Sequence, residues 1–270
     1  MNKMNKIMNY QFQTLLACII TLYCNNINAQ CTPATATSPF PNGDFNMFTP
    51  PASSAQLANA NGWSNASDTT PDLFASGAYL GGTGGVPVVS TPSPNGGAWA
   101  GFLTFSDDTI GPPTYYEYEY IARALDTNLT EGVYDLVVDL GAPGTNTVVS
   151  GGDQTLDIVV HGVPLAASLP YTGGFGSRIT DVGIGAVELG RFRITLLQDT
   201  WQTDIVIPLT VPAASNFEVL AISGDNVDPT TGTISGGAIS EYTLIDNIRL
   251  TLNLSTDPSC CPAGTDPPTF

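Results

Sequence analysis

Residues 32–255 alternate between short apolar runs and turn-forming clusters, and this pattern constrains the fold more than any other feature of the chain. The runs are rich in Val, Ile, Thr, Leu and Tyr, and clusters of Gly, Pro, Asn and Asp separate them. Several runs alternate between apolar and polar positions, as half-buried strands do. The clearest predicted strands are 133–140, 155–161, 192–197, 203–211, 217–223 and 244–254. The pattern predicts an all-β domain built as a two-sheet sandwich.

One segment fits two secondary structures. Ile121, Leu125 and Leu129 fall four residues apart, which is the spacing of one helix face. A strand followed by a turn accounts for the same residues. The sequence leaves both interpretations open.

The first 29 residues have the three regions of a secretory signal. Lys3 and Lys6 precede an apolar stretch at 12–23, and a polar neck leads to Ala29. The apolar stretch has roughly 12 residues, whereas about 20 are needed to span a bilayer. We therefore expect cleavage after Ala29 and an extracellular or cell-surface location.

Two further segments complete the predicted organisation. Residues 30–255 form one sandwich domain, since no fixed-period repeat divides them. Residues 256–270 are rich in proline and read as a linker or tail that leads to further domains.

Charge excludes one large class of partner. Removing the signal also removes both lysines and leaves 5 arginines against 24 acidic residues, a net charge of −19. Binding a phosphate backbone requires clustered Lys and Arg. We expect no nucleic-acid binding, no attraction to anionic membranes and no membrane insertion.

The cysteines allow one disulfide after export. Cys31 lies at the start of the mature chain, and Cys260 and Cys261 lie near its end. An exported protein can oxidise such thiols. If the terminal strands are neighbours, Cys31 pairs with Cys260 or with Cys261, and one thiol is left over.

Segments at both ends of the predicted domain carry a resemblance to a known family. They are Pro41-Asn42-Gly43-Asp44-Phe45, Gly62-Trp63 followed by Thr70-Pro71-Asp72-Leu73-Phe74, and Leu244-Ile245-Asp246-Asn247-Ile248-Arg249-Leu250. Between them, Glu119-Tyr120-Ile121 through Tyr134 resembles the family's middle strands. In this order they resemble the galactose-binding-like jelly rolls of carbohydrate-binding modules and of large Bacteroidetes surface proteins. The resemblance implies a sandwich of jelly-roll type.

The resemblance also implies a structural calcium ion. In such modules the opening and closing strands lie side by side and often share Ca²⁺, which prefers six to eight oxygen ligands. By this resemblance Asp246 and Asp44 are metal ligands. The family usually has Glu after the Phe, whereas this chain has Asn46. The alternative is that Asp246 and Asn247 only satisfy backbone groups at a turn or strand edge.

Aromatic side chains are the candidate sugar contacts, because planar rings offer much contact area for little rotamer entropy. Trp63 and Trp201 open predicted strands, and we expect both to be buried. Trp99 lies between small residues that would let a ligand approach closely. Tyr115 and Tyr116 follow Gly111-Pro112-Pro113 in a predicted loop. We predict Trp99, Tyr115 and Tyr116 as ligand-binding residues.

Catalytic patterns are missing from the sequence. The single histidine, His161, ends an apolar run, where a strand-end role is favoured over catalysis, and no Gly-x-Ser-x-Gly elbow accompanies it. Paired acids such as Glu117 and Glu119 are expected by chance among 24 acidic residues. We therefore predict no enzymatic activity.

Three functional hypotheses remain. The leading one is an extracellular, non-catalytic carbohydrate-binding module, stabilised by calcium, with a glycan or cell-surface polysaccharide as partner. The second is a structural cell-surface adhesin or filament subunit that self-associates and binds no specific sugar. The third is a secreted polysaccharide-degrading enzyme whose catalytic part lies elsewhere.

Overall fold

The computed structural model describes residues 40–67, 69–82, 86–107, 115–144, 153–171, 177–227 and 239–253. Apart from Asn253, these residues belong to one compact unit, Ser38–Leu252. The cysteines at 31, 260 and 261, and thus the predicted disulfide, lie outside the described residues. The strands are β1 (Trp63–Asn65), β2 (Asp72–Ala75), β3 (Ala98–Asp107), β4 (Tyr115–Tyr118), β5 (Ile121–Ala142), β6 (Gln154–Val163), β7 (Val187–Leu196), β8 (Thr200–Asp225) and β9 (Ile239–Leu252).

The fold is all-β, as predicted, and its paired strands are antiparallel. Hydrogen bonds connect the strands in the order β2-β3-β9-β5-β8-β6-β7, with β1 beside β5 and β4 beside β3. The described residues contain only two short 3-10 turns, Leu57–Asn59 and Ala166–Ser168, as helical elements. Within the described part, no helix is long and apolar enough to cross a membrane.

Two long strands, β5 and β8, connect the two layers of the sandwich. The first residues of β5 pair with the end of β8, and its last residues pair with the start of β8 and with β9. Register shifts interrupt the β5–β8 ladder three times, and such bulges bend and twist strands. One layer therefore contains β7, β6, the end of β8, the start of β5 and β1. The other contains the start of β8, the end of β5, β9, β3 and β2.

The main core lies between these layers. Phe102, Leu136, Leu156, Ile222 and Ile245 are fully buried members of it and come from five different strands. Packing is tight enough that a side chain on Gly224 of β8 would overlap Thr104 of β3 in the opposite layer. The alternating apolar positions of the sequence are the source of this core.

The segment 121–129 is extended, which decides between its two interpretations. Residues Ile121 to Ala124 pair with β8 on one side and, through Ile121 to Arg123, with β1 on the other. Backbone pairing on both sides requires extended strand geometry. The four-residue spacing of apolar side chains there is not a helix face.

A second apolar cluster covers the outer face of the layer that contains β6. Ala122, Val163 and Ala221 alternate with main-core residues along β5, β6 and β8, and therefore point outward. Tyr171 and Ile179, from the segment between β6 and β7, pack on them. This cover leaves a recess beside it, over β6, β7 and β8.

Candidate functional site

The recess is a polar pocket on the outer face of the sheet, which we call the Arg191 pocket. Strands β6, β7 and β8, the end of β4 and the segment before β7 supply its walls. The residues that define it are Tyr118, Tyr120, His161, Arg178, Arg191 and Asp225. Its interior has a volume of about 30 Å³.

Arg191 is the centre of a network of ion pairs. Its Nε and Nη2 donate to the carboxylate of Glu188 at 3.0 and 2.9 Å. Its Nη1 donates at 3.0 Å to both Asp157 and Asp225, which are buried. Burial opposes the charged guanidinium, but the hydrogen bonds to these three acids raise the pKa of Arg191 above its ordinary value.

Two further arginines join the same network. Arg178 Nη2 lies 2.9 Å from Asp225, and Arg193 Nη1 donates to Asp157 at 3.0 Å. Three of the five arginines that follow the predicted signal thus gather at one place, together with three carboxylates. The charges balance, so the pocket is highly polar without being strongly cationic or anionic.

Tyrosine rings form part of the pocket. The guanidinium of Arg178 lies over the Tyr118 ring, 5.7 Å from its centroid, in a cation–π geometry. Tyr120 packs edge-on against His161 and Tyr171, with ring centroids 5.7 and 6.0 Å apart. Burial raises the pKa of Tyr120 to about 12, so its hydroxyl is neutral at physiological pH.

His161 lies at the base of the pocket and not simply at a strand end. It is only 4% exposed, and its Nδ1 has no hydrogen-bond partner among the described residues. Burial lowers the pKa of His161 to about 4 against the attraction of Glu188, so the ring is neutral at pH 7. Leaving a buried nitrogen without a hydrogen-bond partner costs about 1–3 kcal/mol.

Trp99 is a core residue, which corrects its prediction as a ligand contact. Its side chain is fully buried, with Phe74 stacked at 6.1 Å and Trp201 edge-on at 6.4 Å. The small residues around it admit neighbouring core rings and no ligand. A Cβ on Gly101, for example, would lie 2.5 Å from a ring carbon of Tyr242. Trp63, as predicted, is also buried, whereas Trp201 is half-buried.

Tyr115 and Tyr116 begin strand β4 rather than lying in a loop. Their backbones pair with Asp107 and Ser106 of β3. Their side chains lie outside the described residues, so their role as ligand contacts stays a prediction.

The opening and closing segments are neighbours, as the resemblance implied, since Ile248 N donates to Gly43 O at 2.8 Å. Asp246 is fully buried and accepts hydrogen bonds from the Ser93 hydroxyl and from Asn247 N at 2.7 Å. Asp44 is exposed and accepts from the Asn46 side chain at 3.1 Å. Protein groups thus donate hydrogen bonds to the Asp246 carboxylate, as expected if Asp246 has a structural role and binds no metal.

Asp139 joins this region and was missed by the sequence analysis. It lies opposite Asp246 in the β5–β9 ladder and is buried. Its carboxylate accepts from Asp204 N at 2.8 Å and from the amides of Asn95 and Asn247 at 2.8 and 3.2 Å.

No group of three or more His, Cys, Asp or Glu side chains suited to a metal ion occurs within the described ranges. The calcium site therefore stays a prediction.

The stability of the fold should depend on pH through Asp246. Burial, with Asp139 and Asp44 nearby, raises the pKa of Asp246 to about 7 despite the hydrogen bonds from Ser93 and Asn247. A raised carboxyl pKa gives stability that is full below the unfolded-state pKa near 4 and is lost as pH rises toward 7. We expect the stability advantage of the native protein over Asp246→Asn to shrink by roughly 3 kcal/mol between pH 4 and pH 7.

Urea unfolding at several pH values measures this difference. Asp126→Asn makes the same substitution at an exposed position and is the matched control. A stability difference between native protein and Asp246→Asn that stays constant with pH would contradict the raised pKa.

Comparison with known proteins adds distant structural neighbours only. No protein-family model matches the chain, and no curated protein matches it. A xylan-binding domain of family CBM22 from Paenibacillus barcinonensis has 8% identity and a TM-score of 0.38 over 74% of this chain and 98% of that domain. A family 11 carbohydrate-binding module from Clostridium thermocellum, in complex with a mixed-linked tetrasaccharide, has 13% identity and a TM-score of 0.34 over 72% and 91%.

A third neighbour is a CBM28 module specific for non-crystalline cellulose. It has 11% identity and a TM-score of 0.39 over 75% of this chain and 94% of that one. At such identities and TM-scores the neighbours carry no functional argument. We therefore base the functional proposal on the residues of this chain alone.

Proposed function

We propose that the chain is a non-catalytic carbohydrate-binding module that binds a sugar at the mouth of the Arg191 pocket. The observation that carries this proposal is the gathering of Arg178 and Arg191 with Glu188, Asp225 and two tyrosines around one recess, with Asp157 and Arg193 joined to them by ion pairs. Planar charged groups can orient the several hydroxyls that a sugar presents.

Charge balance favours a polyol over an ion. Each sugar hydroxyl can donate one hydrogen bond and accept two. The pocket offers guanidinium donors and carboxylate acceptors in equal number, and its net charge is close to zero. A strongly charged ligand would meet groups of its own sign on at least one wall.

The same pairing supports a binding role rather than catalysis. A glycosidase needs a carboxylic acid with a raised pKa opposite a second free carboxylate. Asp157, Asp225 and Glu188 are each paired with arginine. Burial raises the pKa of Glu188, but the hydrogen bond and charge of Arg191 outweigh burial and leave it below its ordinary value.

Calorimetric titration of the full chain with glycans selected on an array tests the proposal. We expect saturable binding, and we expect Arg178→Gln to weaken it at least about tenfold, because one charge-assisted contact contributes about 1.5–3 kcal/mol. Arg249→Gln is the matched control, since Arg249 pairs with exposed Asp204 away from the pocket and should bind normally. A folded protein that binds no glycan, or equal losses in both variants, would overturn the proposal.

The proposed role also includes a bound calcium ion and export from the cell. Calcium would be held by ionised Asp246 with Asp44 nearby, would compete with the proton on Asp246, and would raise the melting temperature above pH 7. The predicted amino-terminal signal supports a location outside the cell or on its surface, where polysaccharides are available.

A further inference from the structure

The chain contains three Asn-Gly pairs, Asn42-Gly43, Asn61-Gly62 and Asn95-Gly96, and all of them lie in described segments outside the strands. In such a pair the backbone nitrogen of Gly can attack the side-chain carbonyl carbon of Asn, since Gly has no Cβ to hinder the approach. This reaction is one reason why Asn is a thermolabile residue. It requires that the Asn amide and the Gly nitrogen are both free to move.

The first pair is restrained through its asparagine. Asn42 Oδ1 accepts a hydrogen bond from Met47 N at 2.7 Å. Asn42 Nδ2 donates to Met47 O at 3.1 Å and to Asn61 O at 3.0 Å. The Asn42 amide cannot turn toward Gly43 without breaking these bonds, so the folded structure protects this pair.

The third pair is restrained on both reacting groups. Asn95 Nδ2 donates to the buried carboxylate of Asp139 at 2.8 Å. Gly96 N, the atom that would attack, donates to Ser93 O at 2.9 Å. The amide and the nitrogen are therefore both held away from each other's reactive atoms, although Asn95 itself is exposed.

The Asn61-Gly62 pair has no such restraint. Both residues are exposed and lie in the turn that precedes β1. Neither the Asn61 side-chain amide nor the Gly62 backbone nitrogen forms a hydrogen bond with another described residue. Of the three pairs, this is the one in which both reacting groups are free to meet.

The guanidinium of Arg123 lies against Gly62. A Cβ placed on Gly62 would be only 1.3 Å from Arg123 Nη1. Arg123 is buried, and it belongs to none of the ion pairs found among the described residues. Its charge can therefore stabilise the negative charge that develops when the Gly62 nitrogen loses its proton and attacks.

We propose that Asn61 is a site of spontaneous deamidation in the folded chain. The Gly62 nitrogen forms a bond to Asn61 Cγ and closes a cyclic imide. Its proton passes through water to the departing side-chain NH₂ group, which leaves as ammonia. Water then opens the imide at either carbonyl and gives aspartate or isoaspartate. Each event adds one negative charge beside Arg123, and the reaction is independent of carbohydrate binding.

Peptide mapping by mass spectrometry, after incubation of the full chain at mildly alkaline pH, measures all three rates in one sample. We expect Asn61 to deamidate at least about tenfold faster than Asn42 or Asn95, because hydrogen bonds at those pairs must break first. In heavy-oxygen water the Asn61 peptide should gain one heavy oxygen, as hydrolysis of an imide requires. Labelling with an isoaspartate methyltransferase should detect the isoaspartate product.

Two controls isolate the effect of the fold. In urea the restraining contacts are lost, so the three rates should converge. Asn61→Gln keeps an amide but lengthens the side chain, so that the imide ring no longer forms readily, and it should remove the fast reaction from the folded protein. Thermal unfolding of Asn61→Gln beside the native protein verifies that this exposed substitution leaves the fold intact.

The relative rates decide the proposal. Fast deamidation confined to Asn61 in the folded chain, with convergence in urea, supports it. Equal rates at the three pairs in the folded chain, or a faster rate at Asn42 or Asn95, overturns it. An Asn61 that stays intact in the folded chain while it reacts in urea also overturns it.

Discussion

Replacing Arg191 by alanine lowers the free energy of unfolding by about 3 kcal/mol, because it leaves Asp157 and Asp225 buried with less compensating charge. Removing one partner of a buried ion pair typically costs about 3–5 kcal/mol. We expect the lower end, since Arg193 still contacts Asp157 and Arg178 still contacts Asp225. Urea or thermal unfolding at pH 7 measures the change.

Arg249→Ala is the matched control for this loss. Arg249 and Asp204 form an exposed pair, with side chains 47% and 69% accessible. Exposed pairs contribute about 0–1 kcal/mol. Similar small losses in Arg191→Ala and Arg249→Ala would contradict the view that the Arg191 network is a buried, interdependent unit.

Replacing Trp99 by alanine lowers the free energy of unfolding by about 3–5 kcal/mol, the range for a large aromatic side chain removed from a core. The ring is fully buried between Phe74 and Trp201, and its loss opens a cavity that these neighbours cannot fill. Chemical unfolding of Trp99→Ala beside the native protein measures this cost.

Glycan titration at a temperature where Trp99→Ala is folded separates stability from binding. We expect unchanged affinity, because Trp99 lies in the core cluster with Phe74, Tyr242 and Leu244 and does not line the pocket. A variant with native stability and lost binding would restore Trp99 as a ligand contact and contradict its place in the core.

The strands could be predicted from sequence because their side chains alternate. The predicted strands 155–161 and 244–254 lie largely within β6 and β9. Segments 203–211 and 217–223, predicted as two strands, are one strand, β8. A positive φ of 59° at Ala214 marks the irregular residues between them. Apolar periodicity reports burial on one face and does not show whether the chain bends or stops between two runs.

The candidate site was harder to predict, although part of its signal was present. Asp157, Val159 and His161 occupy alternate positions of one predicted strand, which places two polar side chains on the same face. Arg191 and Arg193 alternate in the same way on the neighbouring strand. Their pairing with Asp157, however, depends on the β6–β7 register, in which Asp157 lies opposite Arg193 and Val159 opposite Arg191.

Trp99 shows why the sequence alone does not distinguish a core aromatic residue from a ligand contact. Small neighbours allow close approach, but they do not determine what approaches. In the folded chain, the rings of Phe74 and Tyr242 take the space next to Gly101 that a ligand would have needed. Residues distant in the sequence determine whether such an aromatic ring is buried or exposed.

The central claim is that a glycan binds at the Arg191 pocket, and the small number of arginines makes one measurement direct. The chain has five arginine side chains, whose Nε–H signals can be followed by NMR during a titration with the array-selected glycan. We predict saturable shifts for Arg178, Arg191 and Arg193, and none for Arg249. Shifts confined to Arg123 and Arg249 would contradict the claim and place the glycan elsewhere on the domain.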